Sequence, residues 1–509
     1  MLARLLHRPW IALVVAMIVH AALFMAMQRD VPVTDPLWYA GKAYQLGFHP
    51  ADLFAAHDNY PFVMRLGLTG PLALIYWLFG VSTFTTNLPS LLAGLAILAI
   101  AYAAPSTPRA KLLAVAFAMV CTPLIVDGRE LNPDLPCAAV MAASLLCLAR
   151  RDRRRGAWWV VAAVVAWFAA FQIKEVAVWS APVWLYAALG DLHAHGGRWV
   201  VRRFAPALAV GAALAAGYLV FCAALWGDPL ARFHGIADAV PTHEWSLLGR
   251  PTAEWIARLT WQPPVLLFRM FRVALALIVV SPWLVARRDR LWLVAAAACV
   301  GFYWFGSSTA DRYLPLPIWR RMLLPALPAI VVVSALACDA AIDRLRAGWR
   351  IVLAAVLVVF LALPHVRAVA RTIAASEQPE RAAYAALRAE VERTRERVVL
   401  VCGEPRCPMI TAFHFGFAPP GNLTVVNADE FAAAPLPAHA RVRLVTQMIR
   451  ARGAAREPAR LAEELGLPRI TWHPEVRLYD AGDGASLHEG LALFRASPSP
   501  LPSVRPSLR

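Results

Sequence analysis

The sequence has few charged residues: 16% of its 509 residues are Asp, Glu, Lys or Arg, whereas 60% are hydrophobic. A soluble chain of this length does not need so many long apolar segments. The net charge of +17 would suit a nucleic-acid-binding protein. However, the arginines form short clusters between apolar segments, which is typical of membrane topology. We therefore expect a membrane protein with no nucleic acid partner.

Other signatures are missing as well. The eight cysteines have no zinc-site spacing, no dinucleotide-binding glycine fingerprint is present, and no internal repeat is visible. No convincing small-residue cleavage site follows the first apolar segment, which we interpret as an uncleaved anchor. The sequence thus shows neither a zinc-site spacing nor a dinucleotide-binding motif.

Eleven apolar segments approach the length of roughly 17–25 residues that crosses a bilayer. They are 10–27, 85–104, 110–126, 134–149, 157–173, 176–190, 204–226, 263–286, 291–308, 322–338 and 350–368. A further segment, 66–80, is short and is interrupted by Gly67, Gly70 and Pro71. It predicts an interfacial or re-entrant helix.

If segment 66–80 does not cross the membrane, the arginine clusters fall in every second loop between the apolar segments, on one side of the membrane. An N-terminus in the cytoplasm then places the clusters inside, as the positive-inside rule requires. The long segments 28–84 and 227–262 and the tail from 369 face outward. The predicted clusters are Arg4 and Arg8, Arg109 and Lys111, Arg150–Arg155, Arg198–Arg203, Arg287–Arg290 and Arg344–Arg350.

The tail changes character after residue 368. A helical spacing over 382–397 is followed by short apolar runs at 398–401, 423–426, 441–445 and 476–479 that predict strands, with helical stretches near 455–465. The sequence thus predicts an α-helical polytopic membrane protein of about 11 transmembrane helices over 1–368. A small extracytoplasmic α/β domain follows over 369–509, with a disordered tail. Cys402 and Cys407 flank a turn in this domain, where a disulfide or two free thiols are both open.

Several ionisable residues lie beside apolar segments, where charges are costly and usually functional. The predicted topology places them all at the outer face. A carboxylate there can act as a general base, and a group of cations suits a phosphate at the headgroup level. The candidates are Asp35, Arg129, Glu130, Asp134, Lys174, Arg320 and Arg321, with Tyr39, His57 and Asp58 in the nearby outer segment.

Each candidate also has a simpler interpretation. Asp35 caps a helix that starts near Leu37, with Pro36 at its first position. Arg129 is an interfacial anchor, and Lys174 either reaches the headgroups or pairs with Glu175. Arg320 and Arg321 are ordinary flanking charges. His57, Asp58 and Arg65 are solvated loop residues.

A series of short motifs takes the interpretation further. Asp35-Pro36-Leu37-Trp38-Tyr39 resembles an Asp-Glu-x-x-Tyr motif with Pro in place of Glu, and Asn87-Leu88-Pro89-Ser90 resembles Arg-Leu-Pro-Ser. Gly128-Arg129 through Pro133-Asp134 resembles Ser-Arg-x-x-x-Pro-Asp, and Ile173-Lys174-Glu175 resembles Thr-Lys-Gly. The segments 70–80 and 321–328 resemble two further proline-containing motifs. In this order, the motifs resemble the family 39 group of the GT-C integral membrane glycosyltransferases.

The resemblance implies a reaction. A polyprenyl-phosphate-linked sugar, a hexose or a pentose, would be the donor, and a glycan, lipid or protein would be the acceptor. Asp35 would activate the acceptor for an inverting displacement. Arg129, Lys174, Arg320 and Arg321 would hold the lipid phosphate. No cofactor is certain, and a divalent cation is left open because Pro36 replaces an acidic residue. The outward domain and the composition favour a bacterial inner membrane facing a periplasm.

Two other classes remain open. A transporter or flippase for lipid-linked sugars would share the basic outer residues, but it is expected to carry mid-span charges and repeats. A non-catalytic membrane partner would need no carboxylate at position 35.

Overall fold

The computed structural model describes residues 8–28, 35–55, 60–239, 246–309, 313–374, 379–402, 407–427, 441–447, 469–472 and 476–480. The chain divides into two compact units. The first unit comprises Met1–Gln28 and Trp38–Ser376, and the second comprises Arg29–Leu37 and Glu377–Arg509.

Up to residue 374 the described chain is mostly helical. Its α-helices are α1 (Pro9–Met27), α2 (Asp35–Phe48), α3 (Pro50–Ala55), α4 (Tyr60–Val63), α5 (Leu66–Phe79), α6 (Thr83–Ala103), α7 (Pro108–Met119), α8 (Thr122–Val126), α9 (Asp134–Ala149), α10 (Gly156–Ile173), α11 (Ala181–His195), α12 (Gly197–Trp226), α13 (Ala231–Ala239), α14 (Thr252–Leu259), α15 (Gln262–Phe271), α16 (Val273–Leu284), α17 (Arg290–Phe305), α18 (Leu327–Arg344), α19 (Ala347–Leu357) and α20 (Leu363–Ala374). Short 3-10 helices cover Asp127–Arg129, Glu175–Ser180, Arg287–Asp289 and Arg320–Ala326, and a π-helix covers Val358–Ala362.

Among the described residues, six helical stretches are long and apolar enough to cross a membrane: Pro9–Met27, Thr83–Ala103, Gly156–Ile173, Gly197–Trp226, Arg320–Arg344 and Ala347–Ala374. Two bent pairs, Pro108–Met119 with Thr122–Arg129 and α15 with α16, raise this number to eight if each pair is one span. All eleven segments predicted as spans form helices in part or throughout, but the described residues do not establish a count of about eleven. The chain is a multi-pass membrane protein.

The centre of the first unit is α9. This helix is only 16 residues long, and 11 of its residues, from Asp134 to Leu148, are buried. A helix that is apolar on all sides belongs in a protein interior, and α9 packs against α6 and α10. Ser144 Oγ donates to the carbonyl of Ala163 in α10 at 2.8 Å. By contrast, α12 has only three buried residues, Phe204, Ala207 and Cys222, which suits a helix that faces lipid.

The second unit contains a five-stranded sheet in the order β2-β1-β3-β5-β4. Its strands are β1 (Val398–Cys402), β2 (Leu423–Asn427), β3 (Arg441–Gln447), β4 (Arg469–Trp472) and β5 (Val476–Asp480). β1 pairs in parallel with β2 and β3, whereas β5 pairs antiparallel with β3 and β4. Four strands overlap the predicted apolar runs, and sequence analysis missed β4. The helical stretches predicted near 455–465 lie outside the described residues.

Two further helices belong to the second unit, α21 (Pro379–Arg393) and α22 (Cys407–His414). The apolar positions expected on the first of them, Tyr384, Leu387 and Val391, are buried. Cys402 at the end of β1 and Cys407 at the start of α22 form a disulfide, with their Cα atoms 5.5 Å apart. Of the two alternatives left open by the sequence, the structure contains the bridge.

Candidate functional site

Two arginines converge on one carboxylate at one end of the first, mostly helical unit, which we call the helical unit. Arg65 donates from Nη2 to Glu175 Oε1 at 2.6 Å and from Nε to Glu175 Oε2 at 3.2 Å. Arg232 donates from Nη2 to Glu175 Oε2 at 3.0 Å. Arg65 also donates from Nη1 to the hydroxyl of the buried Tyr39. We call Arg65, Glu175 and Arg232 the arginine triad.

Local backbone breaks put these side chains in place. Lys174 has an extended backbone (φ −154°, ψ 132°) that ends α10, so that Glu175 starts a 3-10 helix. Arg65 immediately precedes α5. A Cβ atom on Gly67 would lie 2.8 Å from the backbone of Gln172 and Ile173. Glycine at position 67 therefore lets α5 approach the end of α10 closely enough for Arg65 to reach Glu175.

The arginine triad carries one positive charge in excess. Burial alone would raise the pKa of the Glu175 carboxyl, but the charges of Arg65 and Arg232 outweigh burial and hold this pKa well below its usual value. Glu175 is therefore ionised, and one of the two guanidinium charges stays uncompensated within the triad. A buried charge is costly unless it is paired, so the site favours an additional anion.

Arg232 is the most secluded member of the triad. Its side chain is 1% exposed, and its guanidinium carbon lies 4.7 Å from the ring centroid of Phe171. In the described part of the chain, its Nε and Nη1 atoms form no hydrogen bond of normal geometry, although the guanidinium also interacts with the hydroxyl of Tyr218. Buried guanidinium donors normally find acceptors. Arg232 therefore keeps donor capacity that a ligand with oxygen atoms could use.

A second buried ion pair lies next to the triad along the chain. Lys174 donates from Nζ to Asp134 Oδ1, and its Nζ also lies 3.2 Å from Met322 Sδ. The two charged side chains are 6% and 2% exposed. This pair joins the start of α9 to the end of α10. From the sequence, Glu175 was one possible partner of Lys174. In the structure, Lys174 forms its ion pair with Asp134 instead.

Two of the other predicted cations, Arg129 and Arg320, lie near Asp127. Arg129 Nε is 3.3 Å from Glu130 Oε1, and Arg320 Nη2 is 3.2 Å from Asp127 Oδ2. The guanidinium carbon of Arg321 lies 5.3 Å from the ring centroid of Trp319. Arg129, Lys174 and Arg320 therefore each already have a carboxylate partner.

Motif segments that are distant in sequence meet in this region. Asn87 Oδ1 accepts from the backbone N–H of Leu131 at 2.8 Å, and Ser90 Oγ donates to the carbonyl of Glu130 at 2.9 Å. The Asn87–Ser90 segment thus holds the turn that carries Arg129. The Lys174 contact with Met322 joins two further motif segments.

Asp35 is the first residue of α2, and Tyr39 lies one helical turn later on the same helix. The helix therefore begins at Asp35 itself, one residue earlier than the capping interpretation expected. His57 and Asp58 lie outside the described residues. No group of three or more His, Cys, Asp or Glu residues among those described is arranged to hold a metal ion.

The comparisons with known proteins agree with this architecture. Residues 71–223 match the family described as dolichyl-phosphate-mannose-protein mannosyltransferase. The structure of ArnT from Cupriavidus metallidurans in the apo state is similar with a TM-score of 0.56 and 13% identity, over 95% of this chain and 98% of ArnT. The same protein bound to undecaprenyl phosphate gives a TM-score of 0.52 and 14% identity, over 92% and 98%. No curated protein sequence matches the chain.

The predicted resemblance to the GT-C glycosyltransferases of family 39 is confirmed. The sequence analysis did not predict that Arg65, Glu175 and Arg232 form one cluster. It treated Arg65 as a solvated loop residue and Glu175 as a possible partner of Lys174. The sequence did contain an indication for Arg65 and Glu175, because each lies directly beside an apolar segment, where charged residues are usually functional. Nothing in the sequence near Arg232 marked it as buried.

Proposed function

We propose that this protein is a membrane glycosyltransferase that moves a sugar from a polyprenyl-phosphate-linked donor to an acceptor. The GT-C fold and the family match over residues 71–223 support this proposal. ArnT, which shares the fold, has been crystallised with undecaprenyl phosphate. The location we propose is a bacterial inner membrane, with the site at the outer face and the sheet-containing unit outside the membrane.

The arginine triad is the observation that carries the proposal. It offers an uncompensated positive charge and spare guanidinium donor capacity in a sheltered position. A guanidinium matches the geometry of a phosphate through forked hydrogen bonds. We assign the donor phosphate to Arg65 and Arg232, and we assign to Glu175 the task of holding both arginines in place.

We propose a secondary, electrostatic role for the predicted phosphate ligands Arg129, Lys174, Arg320 and Arg321. Three of them already pair with a carboxylate, so their positive charge is partly compensated. They contribute to the field that favours an anion in this region, whereas direct contacts are expected first from the triad.

The chemical step uses Asp35. The acceptor, a hydroxyl or amine on a glycan, lipid or protein, loses its proton to the Asp35 carboxylate and forms a bond to the anomeric carbon. The bond between that carbon and the phosphate oxygen breaks, and the electron pair leaves with the polyprenyl phosphate. A single displacement inverts the anomeric centre. Stabilising the charge of the leaving phosphate is a large catalytic contribution, which the triad supplies.

The decisive comparison is between the wild-type protein and Asp35→Asn in proteoliposomes that contain a polyprenyl-phosphate sugar and candidate acceptors. Asn caps a helix about as well as Asp, so folding is expected to persist, while loss of the base lowers turnover by roughly 10²–10⁴-fold. The readout is free polyprenyl phosphate formed together with glycosylated acceptor. Movement of the intact lipid-linked sugar across the bilayer without cleavage would favour the alternative, a flippase. Undiminished transfer by Asp35→Asn would remove the base role.

A further inference from the structure

A second basic region lies at the opposite ends of the helices that carry the arginine triad. Glu175 follows the C-terminal end of α10, and Arg232 follows that of α12. At their N-terminal ends five exposed arginines, which we call the basic cluster, occur in two segments: Arg153, Arg154, Arg155, Arg198 and Arg202. Because α10 and α12 pack side by side, both segments belong to one end of the helical unit.

The two segments are fixed to one another by hydrogen bonds. Arg151 donates from Nε and Nη2 to Asp191 at 2.6 and 2.9 Å, which holds the turn before α10 against the end of α11. Arg203 donates from Nη1 to the carbonyl of Arg153 at 3.2 Å, which holds the same turn against α12. The backbone that carries the basic cluster is therefore anchored, while its five arginine side chains are exposed.

The positive charge of the basic cluster is not balanced by nearby acids. In this fully described stretch, none of the five arginines forms an ion pair, and Asp191 is occupied by Arg151. Asp152 is the other carboxylate of the turn, and five arginines against one such carboxylate leave a surplus of four positive charges. Such a surplus attracts a group of anions.

The position of the basic cluster identifies the source of these anions. α10 has 18 residues and is thus about 27 Å long, close to the roughly 30 Å hydrocarbon core. Its N-terminal end therefore lies at headgroup level. Trp158 and Val201, 73% and 64% exposed, place apolar surface next to the arginines. We infer that the basic cluster is a binding site for anionic phospholipid headgroups, separate from the donor site at the other end of the same helices.

The test uses native mass spectrometry of the full-length protein in detergent, titrated with phosphatidylglycerol or with phosphatidylcholine of the same acyl chains. The wild-type protein is expected to bind phosphatidylglycerol about tenfold or more tightly than phosphatidylcholine. Arg154→Gln/Arg198→Gln/Arg202→Gln should lower the phosphatidylglycerol affinity by about tenfold or more, since each arginine near an anionic surface contributes. All three positions are exposed, and an unchanged melting temperature would show that folding is intact.

The matched control is Arg287→Gln/Arg288→Gln/Arg346→Gln, which removes the same charge from exposed positions outside the basic cluster. Because these arginines lie outside the basic cluster, this variant should lower the phosphatidylglycerol affinity clearly less than the cluster variant does. An equal loss in both triple variants, or no preference over phosphatidylcholine, would overturn the site. Displacement of phosphatidylglycerol by inorganic phosphate at the same concentration would also overturn the proposal, because it would assign the arginines to a soluble anion.

Discussion

At the scale of single residues, Glu175 is the central residue of the site, because its carboxylate is the shared ion-pair partner of two guanidinium groups. Arg65 is 14% and Arg232 1% exposed, so Arg232 in particular cannot turn to water when the carboxylate is lost. Removal of one partner from a buried ion pair leaves an uncompensated charge in the interior. Glu175 therefore links the stability of the helical unit to the chemistry of the site.

We predict that Glu175→Gln destabilises the protein by about 3 kcal/mol or more, measured as a lower thermal unfolding midpoint in detergent. The control is Asp343→Asn, which removes the same charge from a more exposed pair, Arg109–Asp343 at 2.7 Å. A change of about 1 kcal/mol or less is expected for that variant. Equal midpoints for the two variants would argue against the triad as a structural unit.

His414 provides a residue-scale prediction in the second unit. Its ring stacks on Tyr384 with 4.0 Å between centroids, and burial, helped by the charge of Arg388, lowers its pKa from 6.5 to about 4. The folded state therefore keeps His414 neutral between these values, while the unfolded state binds a proton. Stability from this group is complete above pH 6.5 and is lost as the pH falls toward 4.

Hydrogen exchange of the 407–414 backbone amides in the full-length protein, corrected for intrinsic rates, measures this effect. The opening free energy of the wild type should fall by about 2 kcal/mol between pH 7 and pH 5. In His414→Phe, which keeps the stack on Tyr384, this contribution should vanish. The same pH dependence in both proteins would assign it to other groups.

At the scale of elements, the close approach of α5 to the end of α10 determines whether the triad forms. Gly67→Ala would place its Cβ atom 2.8 Å from the backbone of Gln172 and Ile173, and backbone cannot yield as a side chain can. We expect a loss of stability of about 1–3 kcal/mol from overpacking, together with weaker donor binding because Arg65 moves away from Glu175.

Gly70→Ala is the matched control, because the same helix has nothing within 4 Å of a Cβ atom at that position. Replacing a helical glycine with alanine should leave stability unchanged or raise it by roughly 0.5–1 kcal/mol. Thermal unfolding and donor binding of both variants, measured side by side, separate the steric effect from a general effect of alanine in α5. Tolerance of Gly67→Ala would refute the packing argument.

The elements themselves followed largely from the sequence. Apolar runs bounded by arginines predicted the helices because burial in lipid or protein selects long apolar segments. The strands at 398–402 and 423–427 followed from their β-branched residues. β4 was missed because Arg469–Trp472 is short and carries a mixed composition. Lys174 was expected near a phosphate, and its pairing with Asp134 could not be predicted, since it depends on how α9 packs against α10.

At the scale of the whole molecule, the helical unit has two chemically different ends. The arginine triad joins residues separated by 110 and 57 positions in sequence, and no local pattern reports such contacts. The basic cluster is solvated and unpaired, whereas the triad is largely shielded from solvent, with Arg232 fully buried, and shares one carboxylate. This difference separates a surface that attracts lipid headgroups from a sheltered site that favours one anion.

The central claim is that Arg65 and Arg232 hold the phosphate of a lipid donor. The most direct test is the affinity of the purified full-length protein for polyprenyl phosphate, compared between wild type, Arg232→Gln and Arg232→Lys. A charged hydrogen bond contributes about 1.5–3 kcal/mol, so Arg232→Gln should weaken binding by roughly 10–150-fold. Arg232→Lys should recover part of the lost affinity, because lysine restores the positive charge but cannot donate the two parallel hydrogen bonds of a guanidinium. Wild-type affinity in a folded Arg232→Gln protein would contradict the account.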